Sequence, residues 1–429
     1  MFENENVIEL KECLTCGSNN LKLTLDLNKQ PLANSFKKNK DEKQDEFPLA
    51  VNHCKDCFHV QLTHAVNPDL MFKDYLYVSG TSQTMNDHFE WFSRYSVEYY
   101  TTMNHFSAPM NVLDIGCNDG SQLNHFKKLG IITQGVDPAE NLYETSSKEH
   151  HITCGYFDEQ YVPHKFASFD LIVAQNVFAH NFDPYAFLKN ARRYMNESSL
   201  LFIQTSQADM IRNNEFDTIY HEHISFYNIN SMNELCKRSG LNLIDVVKCP
   251  LHGNSYIFII SRYASRPANI ENLIDMERKA GILSEEKYNE YALKCQGVVD
   301  DLISSLNGAE ADGYTLVGYG AAAKGMTLLN YAKIRLDYII DDNPLKQNRY
   351  TPGMSIPIVS SDILTEFHEN EKIIFIPLAW NFFNEIKNKI KAKRDNKNDL
   401  FLKYFPEVIG KTVNSNLSRG TALTWEHIK

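Results

Sequence analysis

Tyr220, His221, Glu222 and His223 stand in a row inside the stretch EFDTIYHEHISFY. Two imidazoles, a carboxylate and a phenol at adjacent positions can ligate a metal, move protons or simply face water from a loop, and the four residues alone leave all three open. A second set of side chains is more specific. CLTCG places Cys13 and Cys16, and NHCKDCFHVQL places Cys54 and Cys57, each pair in C-x-x-C spacing. That spacing lets a tight turn aim two thiolates at one tetrahedral ion, so two such turns complete a four-sulfur zinc site with no position open for substrate. Its expected role is folding, in an N-terminal module too small to be stable on its core alone. His53 and His59 flank the second turn as alternative ligands, but four sulfurs already suffice. A thioredoxin-like redox pair is disfavoured, because two knuckles occur and neither sits in a strand-loop-helix pattern. The other cysteines are scattered, which suits a reducing compartment better than a disulfide framework.

Glycine-rich turns supply the next candidates. In NVLDIGCNDGSQLNHFKKLG an apolar run leads into a turn bearing Gly116, Asn118 and Gly120 and then a helical pattern, so Asp114, Gly116 and Gly120 read D-x-G-x-x-x-G. Glycines there let the backbone approach a ligand, and the helix start offers free N–H groups. The following strand, ITQGVDP, ends at Asp137, whose carboxylate can accept hydrogen bonds from both ribose hydroxyls of an adenosine. A dinucleotide fingerprint would read G-x-G-x-x-G, and this turn does not. A second strand, glycine turn and helix recurs in YTLVGYGAAAKGMTLLNYAK, where Gly318, Gly320 and Gly325 read G-x-G-x-x-x-x-G and Lys324 precedes the last glycine. Neither the dinucleotide nor the P-loop pattern is met, which leaves a phosphate cradle and a scaffold retained for packing both open.

These residues need elements to hold them. A chain of 429 residues is too long for one ordinary core and implies two or three domains. Net charge is −11 with both signs interspersed, so no basic face for nucleic acid is expected. The start MFENENVIELKECL lacks a basic segment followed by an apolar run, and no apolar stretch reaches the roughly 20 residues that cross a bilayer. A cytoplasmic protein with no membrane partner is the expectation. NPDLMFKDYLYVSGTSQTMNDHFEWFSRYSVEYYTTM passes from an aromatic loop, with Tyr75 and Tyr77, into a long helical pattern; taken alone, such a segment is ordinary packing. FDLIVAQNVFAHNFDPYAFL and ESSLLFIQTSQ read as strands, and the YHEH run falls in a loop before a helix with Asn230 or Ser231 as its expected cap. SYIFIISR reads as a sheet-edge strand. PANIENLIDMERKAGILSEEKYNEYALKCQGVVDDLISSL is a helical connection, and LDYIIDDNPLKQNRYTPGMSIPI and KIIFIPLAWNFFNEI extend a second α/β unit, the first of them ending its strand at Asp341 and Asp342.

The turn from Asp114 to Gly120, with Asp137 behind it, resembles the S-adenosylmethionine loop of class I methyltransferases. That resemblance implies that Asp158 of CGYFDEQ lies on the adenine side and that Asn176 and His180, after the fourth strand, stand beside the reactive methyl. Zinc knuckles, DYLYVSGTS, DIGCNDG, NVFAH, YHEHISFY and GYGAAAKG also occur in the order found in the sugar C-methyltransferases that alkylate C-3 of nucleotide-linked 4-keto-6-deoxysugars, a match along nearly the whole chain. The resemblance implies an α/β architecture in three parts. Residues 1–70 form a zinc-binding module, 71–262 a class I, Rossmann-like methyltransferase domain, and 263–429 a helical connector with a second Rossmann-like α/β domain. The last is expected to hold the nucleotide diphosphate handle of the sugar through Gly318, Gly320 and Lys324.

The same resemblance accounts for the crowding at YHEH. A carbon next to the C-4 ketone becomes a nucleophile once its proton is removed, which demands a base titrating near neutrality, a donor at the developing oxyanion and a carboxylate to orient the base. It makes His223 the base, with Glu222 and Tyr220 holding the sugar or tuning the site and His180 assisting near the oxyanion and the methyl. Tyr75 or Tyr77 closes over the sugar, Tyr77 being favoured, while His221 alternates with His223 and is expected to be structural. Alkylation beside a ketone needs no metal where hydrogen-bond donors stabilise the enolate. Two other readings remain: an O- or N-methyltransferase on another small molecule, which would need no acid-base loop, and a non-catalytic zinc-knuckle scaffold. Intact Asp114, Gly116, Asp137 and YHEH argue against the scaffold. No motif specifies an oligomeric state.

Overall fold

The computed structural model describes residues 5–73, 78–81, 83–105, 107–205, 209–249, 254–263 and 270–404. The chain forms two compact units: Met1–Leu23 with Asn52–Ala208 and Glu222–Glu285, and Thr24–Val51 with Asp209–His221 and Glu286–Lys429. No helix among the described residues is long and apolar enough to cross a membrane.

Short strands open the chain: β1 (Val7–Glu9), β2 (Leu21–Gln30), β3 (Phe47–Cys54), β4 (Val60–Leu62) and β5 (His64–Val66), with β1 antiparallel to β5. The two cysteine turns share one geometry. Gly17 N donates to Cys13 O at 2.8 Å and Phe58 N to Cys54 O at 2.9 Å, and Gly17 and Phe58 take φ of 81° and 57°. A bulky residue in the left-handed region is strained, so the second turn is held by its surroundings and not by its own preference.

A short helix α1 (Asp69–Phe72) and the long α2 (Gln83–Met103) lead into alternating strands and helices: β6 (Asn111–Ile115), α3 (Ser121–Lys128), β7 (Ile132–Asp137), α4 (Glu140–Ser146), β8 (His151–Cys154), β9 (Phe169–Gln175), α5 (Pro184–Arg193) and β10 (Met195–Thr205). After α6 (Met210–Asn213) come β11 (Ser225–Phe226), α7 (Ile229–Arg238), β12 (Asn242–Cys249) and β13 (Ser255–Ser261). Seven strands join in the order β12-β13-β10-β9-β6-β7-β8, parallel from β10 through β8, with β13 antiparallel between β10 and β12. Every residue of β6 is buried because both faces are covered. Leu113 and Ile115 pack with α5 and α7 on one face, and Val112 packs with α2 and α3 on the other. This is a doubly wound sheet of the kind that the resemblance implies.

Two local expectations change. SYIFIISR is β13, an inner strand whose residues are nearly all buried, and the edge is β12; an apolar run signals burial, not strand order. The cap of α7 is Asn228, not Asn230 or Ser231. Asn228 Oδ1 accepts from Ser231 N at 2.7 Å and Ser231 Oγ accepts from Asn228 N at 3.2 Å, so Ser231 closes the capping box from inside the helix.

α8 (Ile270–Lys279) and α9 (Glu285–Ala311) confirm the helical connection. The second unit follows: β14 (Thr315–Tyr319), α10 (Ala323–Ala332), β15 (Tyr338–Ile340), β16 (Ile358–Val359), β17 (Ile373–Pro377), α11 (Phe383–Lys393) and β18 (Leu400–Phe401). Its sheet is wholly parallel in the order β16-β15-β14-β17-β18. Residues from the early chain belong to it: Lys37 bridges backbone to backbone with Tyr350, and its Nζ donates to Ser355 Oγ at 2.8 Å.

Candidate active site

The four sulfurs of Cys13, Cys16, Cys54 and Cys57 all lie within 4.8 Å of one another. Cys13 and Cys57 Sγ are 3.5 Å apart and Cys16 and Cys54 Sγ 3.6 Å, near the edge of about 3.8 Å that zinc–sulfur bonds of about 2.3 Å give a tetrahedron. A four-thiolate cage suits zinc and leaves no coordination position for a reacting group. His59 is not part of it. Its Nε2 lies 3.2 Å from Ser225 Oγ, its ring packs 4.9 Å from Tyr227, and burial holds its pKa down at about 3.

The order of the seven-stranded sheet reverses between β6 and β9, so the ligand crevice opens at their carboxyl ends. There Gly116, Asn118 and Gly120 take φ of 76°, 50° and 81°. Asp137, ending β7, fastens the turn: Oδ2 accepts from Asn118 N and Oδ1 from Ala139 N, each at 2.8 Å. Burial raises its pKa, and raises that of Asp114 further, with the Asp137 charge adding to the effect. Each Asp137 oxygen keeps a lone pair for a ribose hydroxyl. Asn176, at the end of β9, has φ of 55° and a buried Oδ1 with no hydrogen-bond partner among the described residues. Such an acceptor costs about 1–3 kcal/mol unless a ligand brings a donor. Asp158 differs, being exposed, with Oδ1 accepting from Gln160 N at 2.9 Å. A ribose acceptor, an orphaned acceptor at the crevice and a backbone turn open toward it fit S-adenosylmethionine.

The aromatic loop is tied to this turn by residues the sequence did not single out. Ser79 N donates to Asn118 Oδ1 and Gly80 N to Asp119 Oδ2, both at 3.0 Å. A side chain at Gly80 would crowd Ser121 Oγ and stand 2.6 Å from Asp119 Oδ2, so either side chain would have to shift to admit one. Tyr75 and Tyr77, just upstream, lie outside the described residues.

A single turn of 3-10 helix, Phe178–His180, follows β9. The His180 ring stacks on Phe72, with centroids 5.4 Å apart and planes 7° apart, and on His223 at 5.2 Å and 30°. Burial lowers His180 to about 4, so it is neutral at physiological pH. His223 is itself buried, 4 % exposed. Its loop is clipped on both sides through Ile224, whose N donates to Ala179 O and whose O accepts from Leu62 N, each at 2.8 Å. Ser225 and Phe226 then pair with Gln61 and Val60 of β4. Gln61 in turn spans the first cysteine turn, accepting from Leu14 N and donating to Glu12 O at 2.9 Å each. The zinc module therefore backs β11, which follows His223 by two residues.

Glu222 is buried and Tyr220 half-buried. His221 has its own partner: Nε2 lies 3.2 Å from Phe47 O, the rings meet edge to face at 6.0 Å, and burial lowers it to about 4. The boundary between the two units falls within YHEH, with Tyr220 and His221 in the second and Glu222 and His223 in the first.

In the second unit two of the glycines are closely packed. A side chain at Gly318 would come within 2.9 Å of Leu336 and one at Gly325 within 2.6 Å of Leu378, while Gly320 turns the chain at φ of 88°. Asp341 repeats the role of Asp137, accepting from Ala321 N at 2.7 Å and Asn343 N at 2.8 Å. Lys324 lies over the Trp380 ring at 4.7 Å.

Three family models match the chain in order: a zinc binding domain over residues 13–72, a methyltransferase domain over 90–246 and a C-methyltransferase C-terminal domain over 250–406. The chain is similar to the C-methyltransferase NovU of Streptomyces niveus, 29% identical over 403 residues that cover 90% of this chain and 94% of that protein. A ubiquinone biosynthesis O-methyltransferase of Coxiella burnetii is 23% identical over 176 residues, covering 36% of this chain and 73% of that protein. Among solved structures, the plantazolicin methyltransferase BpumL with S-adenosylhomocysteine aligns at 15% identity and a TM-score of 0.35, covering 42% of this chain and 87% of that one. Domain content and order make the chain an S-adenosylmethionine-dependent methyltransferase, similar along nearly its whole length to a C-methyltransferase, with zinc as a structural ion.

Proposed function

We propose that the protein methylates C-3 of a nucleotide-linked 4-keto-6-deoxysugar through an enolate, in the synthesis of a branched deoxysugar. The observation that carries this reading is the stacked pair of half-buried His180 and buried His223 beside the carboxyl end of β9. A carbon acid next to a ketone needs such a pair, whereas a hydroxyl or amine acceptor needs at most one base. S-adenosylmethionine, when bound, supplies an electrophilic methyl on its sulfonium.

His223 removes the C-3 proton, and the electron pair moves to give C-3=C-4 with the charge on the C-4 oxygen. Neutral His180, held at about 4 by burial, adds no positive charge against the imidazolium that His223 becomes and can donate one N–H toward that oxygen. C-3 then bonds the methyl carbon as the sulfur–methyl bond breaks, and the proton leaves His223 for solvent. Glu222, buried next to His223 in the chain, is the carboxylate placed to orient the base. Either tyrosine of the aromatic stretch, Tyr77 before Tyr75, is the residue proposed to close over the sugar; Ser79 and Gly80, which follow them in the chain, are bonded to Asn118 and Asp119.

Deuterium wash-in tests the proton step without methyl transfer. With S-adenosylhomocysteine and a nucleotide 4-keto-6-deoxysugar in heavy water, the wild-type protein is expected to introduce deuterium at C-3 and His223→Asn to introduce none above background. Exchange at equal rates in both would remove His223 as the base.

A further inference from the structure

Residues 214–219, the approach to YHEH, are held at almost every position by the second unit, to which they belong. Asn214 O accepts from Cys295 Sγ at 3.6 Å, Glu215 O from Tyr291 OH at 3.0 Å and Ile219 O from Thr327 Oγ1 at 3.1 Å. Phe216 packs edge to face on Tyr331 at 5.8 Å. Asp217 is 1 % exposed, and its Oδ2 accepts from Trp380 Nε1 at 2.7 Å and from the buried Tyr404 hydroxyl. Trp380 follows β17, and Lys324 and Thr327 lie on the first turns of α10 after β14. β14 and β17 are the strands between which this sheet reverses its order. A doubly wound sheet offers its ligand crevice at that place.

We infer that this crevice is occupied by the chain's own segment 214–219, with a carboxylate oxygen of Asp217 as the acceptor that Trp380 and Tyr404 hold, and that Trp380 and Tyr404 are positioning residues for the catalytic YHEH loop. A Rossmann-like domain without a dinucleotide fingerprint then has a use: it grips the strand of chain that ends two residues before the base-bearing dipeptide Glu222–His223. Lys324 fits that use. It sits over Trp380 and lowers the pKa of Glu215, which burial nevertheless pushes up to about 7. Gly318 and Gly325 pack closely against Leu336 and Leu378. The inference rests on the proposed function only in calling YHEH catalytic.

The test uses the full-length protein with Trp380→Phe/Tyr404→Phe, which keeps both rings and removes both donors, and with Asp217→Asn, which keeps the acceptor oxygen. Hydrogen–deuterium exchange read by mass spectrometry is expected to show peptides spanning 209–223 exchanging on the order of ten-fold faster in the double variant. Peptides of β14 and β17 should keep wild-type protection, S-adenosylmethionine affinity by calorimetry should be unchanged, and Asp217→Asn should stay close to wild type. With a nucleotide 4-keto-6-deoxysugar as probe, kcat should fall and KM hold. Unchanged exchange at 209–223, an equal loss of protection across β14 and β17, or faster exchange with unaltered kcat would each overturn the inference. If the wild-type protein methylates no keto-sugar, the proposed substrate fails, and the exchange pattern by itself still decides whether the segment is gripped.

Discussion

At the scale of residues, the site depends on who already holds each polar atom. Asp137 is committed through both oxygens to backbone N–H groups, one of them on the cofactor turn. Asp137→Ala therefore loses the proposed ribose acceptor and leaves two N–H groups without a partner, and calorimetry should show S-adenosylmethionine binding weakened at least about ten-fold, with stability lowered by about 1–3 kcal/mol. His180 is the other decisive residue. Its pKa of about 4 means it is already neutral across the working range, so the acid limb of kcat/KM should belong to a different group and persist in His180→Phe. That variant keeps an aromatic ring against Phe72 and His223 but loses the N–H, and kcat is expected to fall by about 10²–10³ if the donor faces the oxyanion. The sequence singled out the cysteines, whose sulfurs the fold gathers into one cluster, because their type and spacing carry chemistry, and it offered Asp137 and the histidines as candidates on the same ground. It did not disclose Ser79, Gly80 and Asp119, whose importance comes from hydrogen bonds between positions 39 apart in the chain, nor His59, which looks like a zinc ligand and instead meets Ser225, 166 residues away.

At the scale of elements, the zinc module and His223, the proposed base, are mechanically linked. Gln61 spans the first cysteine turn and lies in the strand that pairs with Ser225, two residues after His223. Stripping zinc with a chelator should thus lower the melting temperature and also speed hydrogen exchange at 222–227, with methyl transfer lost before the seven-stranded sheet unfolds. Restored zinc should reverse all three. Packing glycines provide a second prediction. Alanine is a better helix former than glycine, yet Gly325→Ala should destabilise by about 1–3 kcal/mol in thermal unfolding, because its methyl would stand 2.6 Å from Leu378 Cβ. Strand and helix types were readable from hydrophobic periodicity, including both halves of the helical connection. Strand order was not: SYIFIISR is as apolar as an edge or an inner strand can be, and only the pairing of β13 with both β10 and β12 tells which it is. The cap of α7 was misplaced for a related reason, since Asn228, Asn230 and Ser231 are all good caps and the turn geometry after β11 selects the first.

At the scale of the whole molecule, buried histidines couple folding to acidity. His53, His150, His180 and His221 are each lowered by burial to about 4 and His59 to about 3. Between the unfolded value of about 6.5 and these folded values, the unfolded chain binds protons that the folded chain refuses, so stability rises with pH there and is lost as pH falls through that window. Denaturant melts should show a lower midpoint at pH about 5 than at pH about 7.5, with the steepest loss between about 6.5 and 4. Two α/β units, a zinc module and their order along the chain were legible from cysteine spacing and glycine turns. Membership of the segments was not, because Thr24–Val51 and Asp209–His221 join the second unit across long separations in sequence. A sequence read in contiguous blocks cannot show such an exchange.

The central claim is carbon methylation driven by His223, and mass spectrometry with fragmentation of the sugar product tests it most directly. Purified protein is incubated with S-adenosylmethionine and a panel of nucleotide 4-keto-6-deoxysugars, beside His223→Asn. The account predicts one methyl on C-3 with the wild-type protein and none with the variant, while both bind the cofactor equally. A methyl found on oxygen or nitrogen, or equal turnover by the variant, would contradict it.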